Sequence, residues 1–392
     1  MITVEEARTI IMGNAWAAPN ELCPLEEVVG RILAEDINAR HDYPLFDMSA
    51  VDGYALGDPH GPWKLVGRLP AGERHGRPLG RGECVRIFTG AAVPQGSHAV
   101  VMQEHCSLHD GVLLMEGDVP REGGNIRRKG EGVRKGEVLL RRGIRLGPAA
   151  VGLLAADGVQ EVPVTMPPSV GIVCTGSEFN PGREALPGKI FSSNDHLLQA
   201  ALRTAGMEVS EHVYRSIDTI DDIRKAIFHA SLECQVVITT GGVSVGEHDL
   251  VRAALERLGA EILFHGVMQK PGKPMLFARV GHVPVFALPG NPRAVLVAWY
   301  EFVLPFLRAV EGDRQPGPHV AHLPIAHGLT LKGNRAEFRA AAVRDGVVHL
   351  LPDEGSHLLG SLVGADALAY FPHTTRQVPE GATVEAHYLP KP

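Results

Sequence analysis

Cysteine is scarce and widely spaced: five residues in 392, Cys23, Cys84, Cys106, Cys174 and Cys234, with no C-x-x-C pair among them. An odd, scattered set excludes a disulfide framework and a zinc finger, and reads as reduced thiols in a cytoplasmic protein. No stretch approaches the ~18 apolar residues of a membrane span. The opening "MITVEEARTII" has neither the basic nor the apolar region of a signal peptide. Positive charge is also short. The 38 Lys and Arg face 45 Asp and Glu, for a formal net charge of -7, which argues against a nucleic-acid or anionic-membrane partner. No G-x-x-x-x-G-K-[ST], G-x-G-x-x-G or H-E-x-x-H occurs, which excludes a P-loop, a dinucleotide fingerprint and a zincin site.

What is present suits a large globular protein. Hydrophobic residues are 44% and charged residues 21%, and the length predicts two to four domains. Thr3 and Glu6 form a T-x-x-E capping pattern ahead of Val4, Ala7, Ile10 and Ile11, which predicts a helix. From Tyr43 to about Leu140 short strands such as "WKLVGRL" and "ECVRIF" are separated by glycine and proline. Asp110-Gly111 and Asp52-Gly53 read as hairpin turns there. Between about Ser169 and Val310 apolar strands alternate with helices, Asn194 and Asn291-Pro292 serving as caps, which predicts a parallel α/β sheet covered on both faces. After the linker "GDRQPGPH", alternating strands with Asp345-Gly346 as a turn predict a small β-barrel or sandwich. The expected units are 1–42 with 141–168, a β-rich 43–140, an α/β 169–311 and a β-barrel 319–392.

In an open parallel sheet, ligands bind outside the carboxyl ends of the strands. Those ends carry Thr175, Gly176, Ser177 and Glu178, then Asp218, then Gly241, Gly242, Ser244, Glu247 and Asp249, then Lys270 and Lys273 of "KPGKP", and finally Gly290 and Asn291 of "LPGNP". Carboxylates gathered at one rim call for a divalent cation, and hard oxygen ligands suit Mg²⁺ bridging to a phosphate. Glycine amides and lysines supply donors for the anion. Each feature has a plainer reading: Gly241-Gly242 as a tight turn, Asp218 as part of a helix cap, Glu247 and Asp249 as partners of a helix dipole. Coincidence at every strand end is what the plainer readings explain poorly. In the β-rich unit, Ser49 or Thr89 could cap a turn, and "NIRRKGEGVRKGE" is either a solvated edge or an oxyanion site.

Six segments in order, "SAVDGYA", "FTGAAVP", "NIRRKGE", "TGGVSVGEHD", "KPGKP" and "LPGNP", resemble the molybdopterin molybdenumtransferase family, whose eukaryotic relative forms the E domain of gephyrin. The resemblance spans nearly the whole chain. It implies a cytoplasmic homodimer of four-domain subunits, with a central molybdopterin-binding α/β domain. It further implies Mg²⁺-dependent insertion of molybdenum from molybdate into adenylylated molybdopterin, with release of AMP. Asp52, Glu178, Asp218 and Asp249 match the catalytic positions. Thr89, Gly241, Gly242, Ser244, Lys270, Lys273 and Asn291 are the expected substrate-binding residues, with Glu178, Asp218 and Asp249 as metal ligands. Other molybdenum cofactor biosynthesis proteins are candidate partners; a non-catalytic scaffold and a molybdopterin adenylyltransferase are the alternatives. Three departures stand out: Gly132 replaces an aspartate of "RRxGED", Ser177 replaces the aspartate of "TGDE", and Arg293 follows "LPGNP".

Overall fold

The computed structural model describes every residue except 181, 208–211, 244–248, 353–354, 356–358 and 391–392. The amino-terminal helix spans Val4–Met12 and starts as its capping pattern predicts. Thr3 Oγ1 accepts from the Glu6 amide at 3.1 Å, and the Glu6 carboxylate accepts from the Thr3 amide at 2.8 Å. Asn20–Pro24 then pairs antiparallel with Glu161–Thr165. That pairing joins the two ends of the β-rich segment through a small core that includes Val28, Leu33, Leu154 and Val162.

Six strands form the β-rich sheet, in the order Ala99–Met102, Gly53–Leu56, Glu83–Ile87, Trp63–Leu69, Val112–Met115, Cys106–His109. Asp110 and Gly111 join the last two with φ of 52° and 79°, the twist a two-residue hairpin requires. Asp52-Gly53 is not a turn, contrary to the sequence reading. Gly53 begins a strand between two neighbours, and a Cβ there would lie 1.8 Å from the Val101 carbonyl oxygen. The glycine is needed for close approach of two backbones, not for reversal of the chain.

The central sheet has the order Val213–Ser216, Val170–Thr175, Val236–Thr240, Val283–Leu288, Leu276–Val280, Glu261–His265. The first four strands are parallel, but Leu276–Val280 runs antiparallel to both its neighbours. The sheet is therefore mixed and not parallel throughout. The cause is local: only Gly281 and His282 separate Val280 from its partner Val283, and a parallel neighbour would need a crossover of a dozen or more residues. Alternation along the strands still buries both faces. Ile172, Cys174, Ile238 and Phe286 meet the helix Asn194–Thr204 on one side. Val173, Val237, Val285 and Ala287 meet the helices Ile220–Glu233 and Leu250–Arg257 on the other. Ser193 holds the N-cap position expected for Asn194, which is instead the first helical residue, buried, with its Nδ2 donating to the Gly290 carbonyl at 2.8 Å.

Pro292–Ala298 continues through a π turn at Trp299–Val303 into Leu304–Val310. A π turn re-aims the side chains it carries. Here Glu301, with a fully buried side chain, ion-pairs with Arg8 of the first helix and lies 3.0 Å from Nδ1 of His387 in the last strand, Thr383–Tyr388. The carboxy-terminal strands pair in the order Gln269–Lys270, Ala336–Arg344, Ala367–Phe371, Thr383–Tyr388, His319–Pro324, with Val347–Leu350 added to Ala336–Arg344 across the Asp345-Gly346 turn. No helix among the described residues is long and apolar enough to cross a membrane.

Gly53→Ala should cost roughly 2 kcal/mol or more, or prevent folding, because backbone must move to admit the methyl group. Gly152→Ala, on an exposed position of the helix Pro148–Ala156 with nothing within 4 Å of its Cβ, should stabilise by about 0.5–1 kcal/mol. Urea denaturation of the two variants beside the wild type checks both signs.

Candidate active site at the rim of the central sheet

The strand Val170–Thr175 leads to a neighbour on one side through a helix on one face. The chain then returns to its other side, at Val236–Thr240, through a helix on the opposite face. The crevice at such a reversal of strand order is where open α/β sheets bind ligands. Thr175, Gly241 and Gly242 meet there. Gly241 and Gly242 have φ of 85° and 63°, and a Cβ on them would lie 2.5 Å from Thr175 O and 2.9 Å from Thr175 Oγ1. The glycine pair thus answers to the neighbouring strand end and to a left-handed turn. Gly290 packs on Gly241 from the next strand, and Asn291 holds the N-cap of the following helix, its carbonyl accepting from Ala294 and Val295. Arg293, an unusual residue at this turn, is buried and reaches the Gly355 carbonyl at 3.2 Å.

The three predicted metal ligands occupy different settings on this rim. Asp218 Oδ2 accepts from the Ser177 amide at 2.8 Å while Ser177 Oγ accepts from the Asp218 amide at 3.1 Å, a reciprocal clasp that ties two strand ends. Glu178 is exposed beside it. Asp249 caps the helix Leu250–Arg257, its Oδ1 accepting from the Arg252 amide at 3.1 Å. Its Oδ2 is buried and lies 3.1 Å from His265 Nε2, without the alignment of a hydrogen bond. Burial holds the Asp249 carboxyl above its ordinary pKa, against the opposing pull of the Arg252 amide and the nearby His265 and Arg252 charges. Among the described residues no three His, Cys, Asp or Glu side chains gather as a ready cage. Ser244, Glu247 and His248 lie outside the described residues.

Lys270 and Lys273 arrive on the connection that leaves His265 at the same rim. The amide and carbonyl of Ile2 bond this segment at Gly266 and Met268, and Gln269–Lys270 pairs with Ala336 and Glu337 of the carboxy-terminal sheet. Gln269 is fully buried, and neither side-chain amide atom is hydrogen-bonded among the described residues. The lysines are therefore carried on backbone pinned from two sides.

Asp52 and Thr89 meet on the β-rich sheet. Asp52 Oδ1 accepts from both the amide and the hydroxyl of Thr89 at 2.8 Å, and those two bonds hold its carboxyl below the ordinary range. The basic run nearby is largely paired: Arg128 with Asp47, Lys129 with Asp42. The Glu131 carboxylate accepts from the Arg128 amide at 2.7 Å, a bond that orients it within the same loop as Gly132.

Comparison with known proteins settles the kinship. Three family models match: the MoeA N-terminal region (domain I and II) over residues 2–158, the "probable molybdopterin binding domain" over 171–309, and the MoeA C-terminal region (domain IV) over 322–389. Proteins named molybdopterin molybdenumtransferase from Haemophilus influenzae and Bacillus subtilis are 32% and 33% identical, covering 98% of this chain and 98% and 93% of their own. The chain belongs to the molybdopterin molybdenumtransferase family. A solved molybdopterin biosynthesis MoeA protein from Pyrococcus horikoshii superposes with a TM-score of 0.86 at 29% identity, covering 99% of this chain and all of that one. Within this molybdenumtransferase fold, sequence reasoning did not single out His265, Arg252 or Gln269, and it named Asn194 only as a helix cap. His265 had a usable signal, since it ends an apolar strand at the rim. The others act only through tertiary contacts.

A carboxyl with a raised folded pKa binds a proton in the folded state at pH values where the unfolded chain has lost it. Ionised Asp249 therefore costs stability above that window, and the cost disappears as pH falls through it. Asp249→Asn keeps a capping oxygen, so in cation-free buffer its Tm should exceed the wild type's at pH 7 and match it in acid. Thermal denaturation against pH checks this; a lower Tm for the variant at pH 7 would refute it.

Proposed function

We propose that this chain catalyses the transfer its relatives are named for, taking adenylylated molybdopterin and molybdate, seating molybdenum on the dithiolene and releasing AMP. The reading is supported by the edge of the sheet where the parallel strands end: Asp249 there has a buried carboxylate oxygen with no aligned hydrogen bond among the described residues, and the pinned segment that leaves the strand Glu261–His265 carries two lysines. Asp249 would hold Mg²⁺ with help from Glu178 and Asp218, hard oxygen donors of the kind this ion takes beside substrate phosphate. When bound, the ion supplies charge neutralisation at the phosphoanhydride. Lys270 and Lys273 hold the phosphate oxygens as point charges. The Gly241 amide is bonded to the Leu288 carbonyl, so the Gly242 amide is the donor this turn would offer an anion, with Asn291 on the next strand beside it.

The remainder of the reading is likewise ours. The subunits form a cytoplasmic homodimer, divided at 1–42 with 141–168, 43–140, 169–311 and 319–392, with the last unit a closed barrel. The bridge between Ile325 and Val348 supports that closure. Asp52 and Thr89, on a sheet separate from Asp249, complete the site from the partner subunit.

The decisive assay combines protein, adenylylated molybdopterin, Mg²⁺ and molybdate and follows AMP. Glu178→Gln and Asp249→Asn should fold normally and suppress release at limiting Mg²⁺; full activity in both removes the metal role. Mixing Asp52→Asn with Asp249→Asn subunits tests the shared site. About half the dimers become hybrids holding one intact site, so roughly a quarter of wild-type activity returns. Proven subunit exchange without recovery places each site within one chain.

A further inference from the structure

One face of the sheet that carries Asp52 has no task in the reading above. Its strands Trp63–Leu69 and Glu83–Ile87 run parallel with Arg68 directly beside Arg86. Leu69 and Ile87 turn inward to a core with Ala55 and Val85, so alternation sends the two guanidinium groups to the opposite face. There both lie over Phe88, Arg68 at 4.9 Å and Arg86 at 5.1 Å from the ring centroid, and Arg86 also lies 4.9 Å from the centroid of Tyr54.

Two like charges against one ring repel, by about 1 kcal/mol at 4 Å in water and more near a protein surface. Asp52 and Glu104 lie near enough to Arg86 to feel its charge, but their side-chain hydrogen bonds among the described residues go elsewhere: Asp52 Oδ1 accepts both Thr89 donors, and Glu104 Oε1 accepts from Gln103 Nε2 at 3.0 Å. Arg86 is oriented by the Gly53 carbonyl at 3.3 Å and by Gln103 Oε1. The Arg68 guanidinium makes no hydrogen bond or ion pair among the described residues. On the same strand as Arg86, by contrast, Glu83 receives a two-point fork from Arg77 at 2.7 and 2.8 Å. Stacking uses the face of a guanidinium and leaves its N–H edge for a planar or tetrahedral oxyanion.

From this arrangement we infer that Arg68 and Arg86, backed by Phe88, form a subsite for a tetrahedral oxyanion beside Asp52 and Thr89. Phosphate of the adenylylated substrate and molybdate share that chemistry. The identity of the physiological anion rests on the proposed activity; the binding itself does not.

Calorimetric titration of the full-length protein with inorganic phosphate, AMP and molybdate tests it. Arg68→Gln and Arg86→Gln should each weaken at least one of these by roughly tenfold, while Arg77→Gln, whose partner is Glu83, changes none. Arg68→Lys, which keeps the charge and loses the fork, should fall between, and it serves if a Gln variant does not fold. In steady-state AMP release, a rise in KM for molybdate alone names molybdate as the anion, and a rise for the pterin substrate alone names its phosphate. Wild-type protein that binds none of the three, Gln variants that titrate like wild type, or an equal loss in Arg77→Gln each overturns the subsite. Wild-type protein that binds an oxyanion yet never releases AMP defeats the proposed activity and leaves the subsite standing.

Discussion

Thr175 can lie against residues 241 and 242 only because neither carries a Cβ. That contact fixes how the ends of two adjacent parallel strands meet, and much of the rim inherits its geometry. With Thr175 seated, Gly176 and Ser177 leave in the direction that lets Ser177 clasp Asp218. With Gly241 and Gly242 in left-handed conformations, the chain can turn toward the helix that Asp249 caps. Gly290 stacks on Gly241 from the third strand. A single steric allowance thus sets the positions of carboxylates that are far apart in sequence.

The three carboxylates Asp218, Asp249 and Asp52 follow a common rule: each is held by a neighbour and keeps part of its capacity. Asp218 gives one oxygen to Ser177, Asp249 gives one to its helix, and Asp52 gives one to Thr89. A carboxylate has lone pairs to spare after one or two such bonds, so orientation and availability coexist. Placing these groups on separate elements also avoids the mutual repulsion that a tight cluster of carboxylates would carry.

Much of the layout was legible because it rests on local chemistry. The capping box at Thr3 and Glu6, the hairpins at Asp110-Gly111 and Asp345-Gly346, and the apolar strands of the central sheet all announce themselves within a few residues. Strand direction was not legible in the same way. The apolar run Val283–Leu288 reads alike in a parallel and an antiparallel strand, and only the brevity of Gly281-His282 tells against a crossover. Asp52-Gly53 misled for a related reason: glycine after aspartate serves a turn and a tight backbone crossing equally well, and the deciding atom, Val101 O, lies 48 residues on. At the site, residues at strand ends could be named from order alone. Asn194, whose amide reaches Gly290 across 96 residues, and Arg252, which faces His265 from a neighbouring element, could not.

Glu301 links residue 8 to residue 387 through one buried carboxylate. A ribosome releases the first helix long before it releases the last strand, and Arg8 is separated from Glu301 by 293 positions. During synthesis Arg8 therefore gains this partner late, and a chain cut short before His387 would keep the buried Glu301 carboxylate beside Arg8 but without its imidazole neighbour. Such a charge favours local opening, which exposes incomplete chains to proteases. The two ends of the chain thus meet at a single buried residue of the central domain.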